Sequence, residues 1–250
     1  MAVEPSPSST SDIAARAPAS PLVRAEWLRR VEAEYRSAVV TQELTLWLMK
    51  VGASPDLIRA GLRIAKDEVT HADLCFRTYA EAGGEAGPVL PRETLGLRRR
   101  EGEPLEHDVL RVCVDAFCIG ETVAVPLFQR LRAGCSVAGP RRVLDRVLRD
   151  EVRHRDFGWA LLGWLLELPL APALRELVER ELPSYFGRMR RAYAPQGTKP
   201  SAAFSPDDRA WGLMPIAEYA EVLERTVDKD WVRLFAEHGF DATKAWRAGA

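Results

Sequence analysis

From about Leu22 to Leu168, apolar side chains return every three to four residues in four long segments, and in that span they do not settle into the alternation of a strand. A chain with this period must bury helical stripes against one another. The first segment covers about 22–51 and stops at Gly52; Ser54-Pro55-Asp56 restarts the chain with a capping serine, proline at the first helical position and an acid in the first turn. The second covers about 55–82 and ends at Gly83-Gly84. The third runs about 105–133, and the fourth about 140–168 after Gly139-Pro140. The first and third connections are short and predict antiparallel hairpins, whereas about twenty residues separate the second and third segments. A 28-residue helix is about 42 Å long. Twenty extended residues at about 3.3 Å each can run back along it. The expectation is an all-α four-helix bundle of two hairpins joined by one long crossover. Two further helices, about 172–193 and 215–237, flank a Pro/Gly/Ser-rich loop from Pro195 to Pro206, and are expected to cover the bundle within one domain, 21–250.

Composition removes several classes of function. Thirty-five basic and thirty-six acidic side chains leave a net charge of −1, which argues against a protein held on nucleic acid by overall charge. The longest nearly unbroken apolar run, Trp159 to Leu166, is far short of the roughly 20 residues of a membrane span. Residues 1–20 lack the apolar stretch of a secretory signal and read as a disordered lead-in. Cys75, Cys113, Cys118 and Cys135 show neither CxxC nor zinc spacing, which points to a reducing cytoplasm and excludes a rubredoxin or ferredoxin-type centre.

The chemistry emerges when charges are placed at 100° per residue. In the first segment Arg29, Glu32, Arg36, Glu43 and Lys50 share a solvent face. The opposite face carries Trp27, Val31, Ala38, Thr41, Thr45, Leu48 and Met49 with one charge, Glu34. In the second, Leu57, Ile64, Ala72, Cys75 and Tyr79 point inward with Glu68 and His71. In the fourth, Glu151 and His154 lie inward beside Leu144, Val147 and Leu148, with Arg142, Arg146, Arg149, Arg153 and Asp156 outside. The third is apolar nearly all round and holds Glu121 between Phe117 and Val125. A carboxylate buried alone costs several kcal/mol even after relaxation. The inner faces offer only Arg155, near the rim, besides two histidines. Metal ions would supply the missing positive charge.

The six residues form one Glu from each of two helices (Glu34, Glu121) and Glu-x-x-His from each of the other two (Glu68–His71, Glu151–His154), the pattern of a di-iron or di-manganese carboxylate site. It repeats internally as DEVTH at 67–71 and DEVRH at 150–154, one on each hairpin, and Asp67 and Asp150 are natural acceptors for a ligating imidazole's second N–H. Glu43 lies 180° from Glu34, His107 is about 21 Å along the helix from Glu121, and His238 falls beyond the last helix, so none of the three is assigned a role.

On these residues the chain resembles the ferritin-like diiron carboxylate superfamily over about 25–168, and DEVRH resembles the DExRH form of its oxygen-activating members. The resemblance implies a ferritin-like bundle binding two Fe ions, or an Fe/Mn pair, through the six residues, with O2 as co-substrate. It further implies a diiron oxidase or oxygenase, a monooxygenase among the options, that hydroxylates, desaturates or similarly oxidises a small organic molecule, free or carrier-tethered. Iron oxidation or peroxide scavenging as in ferritins and rubrerythrins is the alternative, followed by a tRNA-hydroxylase-like enzyme or a metal-free interaction protein. The roughly eighty residues after the bundle favour the oxidase, and Val147 stands where arylamine N-oxygenases carry an additional His. No flavin or NAD fingerprint is present, so electrons would come from a separate donor or from the substrate. Small residues near Glu34 and Glu121 suggest a pocket among Ser37, Ala38, Thr41, Phe117, Cys118 and Val125. Arg98–Arg100 and Arg188, Arg190 and Arg191 are solvated faces or a dock for an acidic carrier or redox partner, and a homodimer is left open.

Overall fold

The computed structural model describes residues 19–193 and 204–249. The expected lead-in, but for Ala19 and Ser20, and most of the expected 195–206 loop lie outside the described residues. Those described form helices, turns and irregular connections with no strand among them.

Helix α1 spans Pro21–Lys50, opened by Ser20, whose hydroxyl accepts from Val23 N–H, and by proline at its first position. Gly52, at φ +72°, turns the chain in the left-handed conformation that glycine tolerates best. Ser54 then caps α2, Pro55–Glu81, as its sequence predicts. Helices α1 and α2 pack along each other. The crossover contains a short 3-10 turn, Arg92–Thr94, and lies against the face of α1 expected to meet solvent. Arg36 donates to the carbonyl and hydroxyl of Thr94, and Glu43 accepts from Leu97 N–H. That polar face is therefore in part a seat for the crossover.

The third expected helix is broken in character. Helix α3, Leu105–Val112, gives way to a π-helical segment, π1, at Cys113–Glu121, and α4 follows at Thr122–Gly134. A π segment widens the turn and releases backbone groups that need other partners. Here Trp231 Nε1 donates to the Cys118 carbonyl at 3.2 Å. Helix α5, Ala138–Leu165, starts two residues before Pro140. Gly139 and Pro140 thus sit in its first turn, where a missing N–H costs nothing, and the break falls at Cys135–Val137. Helix α5 packs on π1 and α4, and also on α2. It comes close to π1 at Gly158, where an added Cβ would lie 2.6 Å from Phe117 Cβ and 2.9 Å from its backbone carbon.

Helix α6, Ala171–Tyr193, matches its expected span. The last expected helix is composite: α8 at Ile216–Thr226, a second π segment, π2, at Val227–Trp231, and α9 at Val232–Glu237. Two short helices were not foreseen, α7 at Pro206–Ala210 and α10 at Ala242–Ala248. Helix α6 lies on α3 and π1, and α8 on α4. The turn after α7 ties the start of α1 to the tail: Trp27 Nε1 donates to the Trp211 carbonyl at 3.1 Å and Arg30 to the Gly212 carbonyl at 2.9 Å. Arg30 and Arg111, both buried, correct the view that Arg155 is the one inward cation. Neither belongs to the acidic cluster: Arg30 pairs with Glu26, and Arg111 with Glu103, Asp108 and Glu181. Met49, placed inward on the wheel, is 45% exposed. No helix among the described residues is long and apolar enough to cross a membrane.

Candidate metal centre

All six acidic and imidazole residues converge. Glu34 comes from α1, Glu68 and His71 from α2, Glu121 from the end of π1, and Glu151 and His154 from α5. Their ligand atoms form two overlapping groups, Glu34–Glu68–His71–Glu151 and Glu68–Glu121–Glu151–His154, and within each group all atoms lie within 4.8 Å of one another. Glu68 and Glu151 belong to both. Glu68 turns Oε1 to His154 Nδ1 at 3.1 Å and Oε2 to His71 Nδ1 at 3.8 Å. Glu151 does the reverse, with Oε1 3.7 Å from His71 Nδ1 and Oε2 3.5 Å from His154 Nδ1. Of the two imidazoles, Glu34 pairs with that of His71, 3.5 Å from Nδ1. The imidazole centroids are 5.8 Å apart.

Burial is nearly complete for this set. Glu34, Glu68, His71, Glu151 and His154 are buried, and Glu121 is half-buried. Burial pushes the Glu34 carboxyl up to about 8, its neighbours Glu68 and Glu151 adding to the effect and His71 opposing it. Burial likewise raises Glu121 well above the ordinary range, reinforced by Glu151. Desolvation would raise Glu68 too, but the neighbouring imidazoles, His154 first and then His71, outweigh it and hold that carboxyl below the usual range. Burial disfavours the imidazolium of each histidine, yet Glu34 and Glu68 lift His71 to about 11, and Glu151 and Glu68 lift His154 to about 10.

These residues could hold metal ions. Glu68 Oε2, His71 Nδ1 and His154 Nδ1 are buried and make no hydrogen bond, although buried polar atoms ordinarily find one. Carboxylate oxygens with imidazole nitrogens suit iron and manganese. Cys75 and Cys118 are buried one turn from His71 and Glu121, belong to neither group, and burial raises both thiols.

Asp67 and Asp150 serve the opposite helix. The Nε2–H of His71 on α2 donates to Asp150 Oδ2 on α5 at 3.1 Å, while His154 Nε2 on α5 stands 3.7 Å from Asp67 Oδ2 on α2. Sequence reading expected an imidazole N–H at each aspartate; Asp150 alone accepts one, and it does so across helices, a pairing that only the packing of α2 on α5 creates. Sequence reading also placed Arg146 and Arg153 in solvent. Both are partly buried: Arg146 binds Asp150 Oδ2 at 2.5 Å, and Arg153 donates to Asp150 Oδ1 at 2.6 Å and to Asp67 Oδ2 at 3.1 Å. Desolvation opposes the Asp150 carboxylate, but Arg146, His71 and Arg153 hold it below the usual range.

The expected pocket residues are mostly packed. Phe117 meets Phe157 edge to face, and Cys118 Sγ donates to the Gly158 carbonyl. Ala38, Thr41 and Val125 are buried, and Ser37 is half-buried. None of the six lines a surface cleft of about 840 Å³ that opens between α1, the crossover, α3, π1 and α6, where Val40, Leu97, Val112, Ala116 and Tyr185 supply apolar wall. Its arginines are engaged, Arg100 and Arg111 with Glu181 and Arg188 with Asp115, and Arg99 pairs with Asp108. Those pairs leave the basic runs less free for an acidic partner than the sequence suggests. Thr122 Oγ1 accepts from Trp159 Nε1 at 3.0 Å, His238 stacks on Trp159, and His107 pairs with Glu103.

Compared with family models, curated proteins and solved structures, the chain finds no match in any of the three.

Proposed function

We propose that this chain is a ferritin-like diiron oxidase or oxygenase that uses O2 to oxidise a small organic molecule, free or carrier-tethered. One observation carries the reading: Glu68 and Glu151 each turn one oxygen toward each imidazole, so both carboxylates would be shared between two metal positions. Glu34 with His71 and Glu121 with His154 would complete the two positions. Iron, if held there, would supply the electrons for reducing O2, and carboxylates suit it because they can change binding mode as metal charge changes.

The protein's own part is to hold and to enclose. Asp150 fixes the His71 ring through Nε2–H, leaving Nδ1 toward the carboxylates. Trp159 ties Thr122, next to Glu121, and Trp231 binds the Cys118 carbonyl three residues before that glutamate. Both contacts fix the helix end that carries Glu121. Phe117 and Val147, one turn from Glu121 and Glu151, are buried and would help keep bulk water out. We assign the cleft beside Val40 and Ala116 as the substrate's approach. Electrons for repeated turnover would come from a separate donor.

The test is anaerobic loading with Fe(II), in wild type and His154→Ala, followed by O2 and a substrate screen. Two irons per chain in the wild type, fewer in the variant, and an oxidised organic product are expected. O2 consumption with a ferric mineral and no organic product would assign the chain to iron oxidation instead, and no bound iron would refute both. Ala116→Trp should retain iron and lose product.

A further inference from the structure

Resting on the two-metal reading above, we propose that the two positions are unequal by construction. The Glu34–His71 position takes its metal first and more tightly, and Arg146 and Arg153 are the positioning residues that create the difference.

An imidazole ligating through Nδ1 binds best when its Nε2–H is held by a carboxylate; losing such a partner typically costs 10–100-fold in metal affinity. His71 has that partner in Asp150 at 3.1 Å. His154 does not: its Nε2 is buried, makes no hydrogen bond, and stays 3.7 Å from Asp67 Oδ2. The oxygen it would need accepts instead from Arg153 Nη2 at 3.1 Å, and Arg146 Nη2 reaches the other Asp67 oxygen at 3.5 Å. Asp150 satisfies both arginines and His71 together, because Arg153 takes Oδ1 while Arg146 and His71 share Oδ2.

The bias has a one-sided source, since both arginines project from α5. The corresponding places on α2, four before and three after the aspartate, hold Arg63, which is exposed, and Thr70, which donates to the Lys66 carbonyl. Nothing on α2 therefore pulls Asp150 away from His71. The carboxylates unique to each position differ in the same sense, because Glu34 is buried within α1 while Glu121 is half-buried at the end of a π segment.

Titration of Mn(II) into chelator-treated protein, with free Mn(II) read from its six-line EPR signal, tests this directly. The expected isotherm has two classes of one ion each, separated by about 10–100-fold. Glu34→Ala should remove the tight class and Glu121→Ala the weak one. Arg153→Gln frees Asp67 Oδ2 for His154 and should strengthen the weak class, a gain that loss of structure cannot produce. Asp150→Asn should bring the tight class down toward the weak one, with circular dichroism reporting on its fold. Two equal classes, a tight class that survives Glu34→Ala, or a weak class unmoved by Arg153→Gln would overturn the inequality or its cause while leaving the two-metal reading intact. No bound Mn(II) would overturn both.

Discussion

Helices α2 and α5 carry nearly the same five residues, DEVTH and DEVRH, on inward faces, and each sends its aspartate across to the other's histidine. Only one of the two contacts closes. Asp150 is 1% exposed and accepts from His71 and from two arginines. Asp67 is held by the same two arginines but stops short of His154. The repeat therefore specifies which groups meet, while residues outside it decide how well each pair is made. A motif equal in letters is unequal in chemistry once its neighbours differ.

The comparison breaks most severely at the shared carboxylates. Glu68→Ala or Glu151→Ala should abolish binding at both positions, whereas Glu34→Ala or Glu121→Ala should lose one ion, as metal analysis after loading will show. Asp150→Ala comes next. It removes three hydrogen bonds, two from guanidiniums and one from an imidazole, and should lower the stability of the metal-free chain by about 2–3 kcal/mol in urea unfolding. The loss stays below that of a fully buried pair because Arg146 and Arg153 remain 39% and 36% exposed and can turn to water. Asp67→Ala should cost less than Asp150→Ala, since it loses no histidine contact.

Acidity probes the same pair of histidines. Both have folded values above their ordinary 6.5, about 11 for His71 and about 10 for His154. A raised value means that the folded chain holds protons the unfolded chain would release. The stabilisation from these imidazoles is complete below pH 6.5 and is lost as pH rises to 10–11. Glu34, raised to about 8, adds a loss of the same sign between 4.5 and 8. Thermal unfolding of the metal-free protein should thus show a falling melting temperature across this window. Loading expels the same protons, so metal affinity should rise with pH.

Smaller effects belong to the flanks. Gly158→Ala forces α5 against π1 and should destabilise by about 1–3 kcal/mol. Arg63→Ala, the α2 counterpart of Arg146, should change stability by no more than about 0.5 kcal/mol. An effect at Arg63 as large as that of Arg146→Ala would remove the asymmetry on which the comparison rests.

Much of this arrangement is legible in the sequence because it follows from local rules. Ser54-Pro55-Asp56 caps a helix wherever it stands, and Glu-x-x-His places a carboxylate and an imidazole on one face without help from the rest of the chain. The third helix was less legible: a wheel at 100° per residue assumes an α-helix, and no residue type between Cys113 and Glu121 announces a π turn. The crossed aspartates, the seat of the crossover on Arg36 and Glu43, and the buried Arg30 and Arg111 are tertiary facts. Each depends on a partner far away in the chain, at Thr94 and Leu97 for the crossover and at Gly212 for Arg30.

The bond from Trp231 to the Cys118 carbonyl spans 113 positions. Every residue of the acidic and imidazole cluster has left the ribosome's active site once Leu165 is added, yet the tryptophan that secures the wide turn beside Glu121 arrives more than sixty residues later. During synthesis the α2 and α5 motifs can meet while the π1 backbone still lacks this donor. The wide turn beside Glu121 therefore gains its Trp231 contact only after the tail that supplies the covering helices has been made.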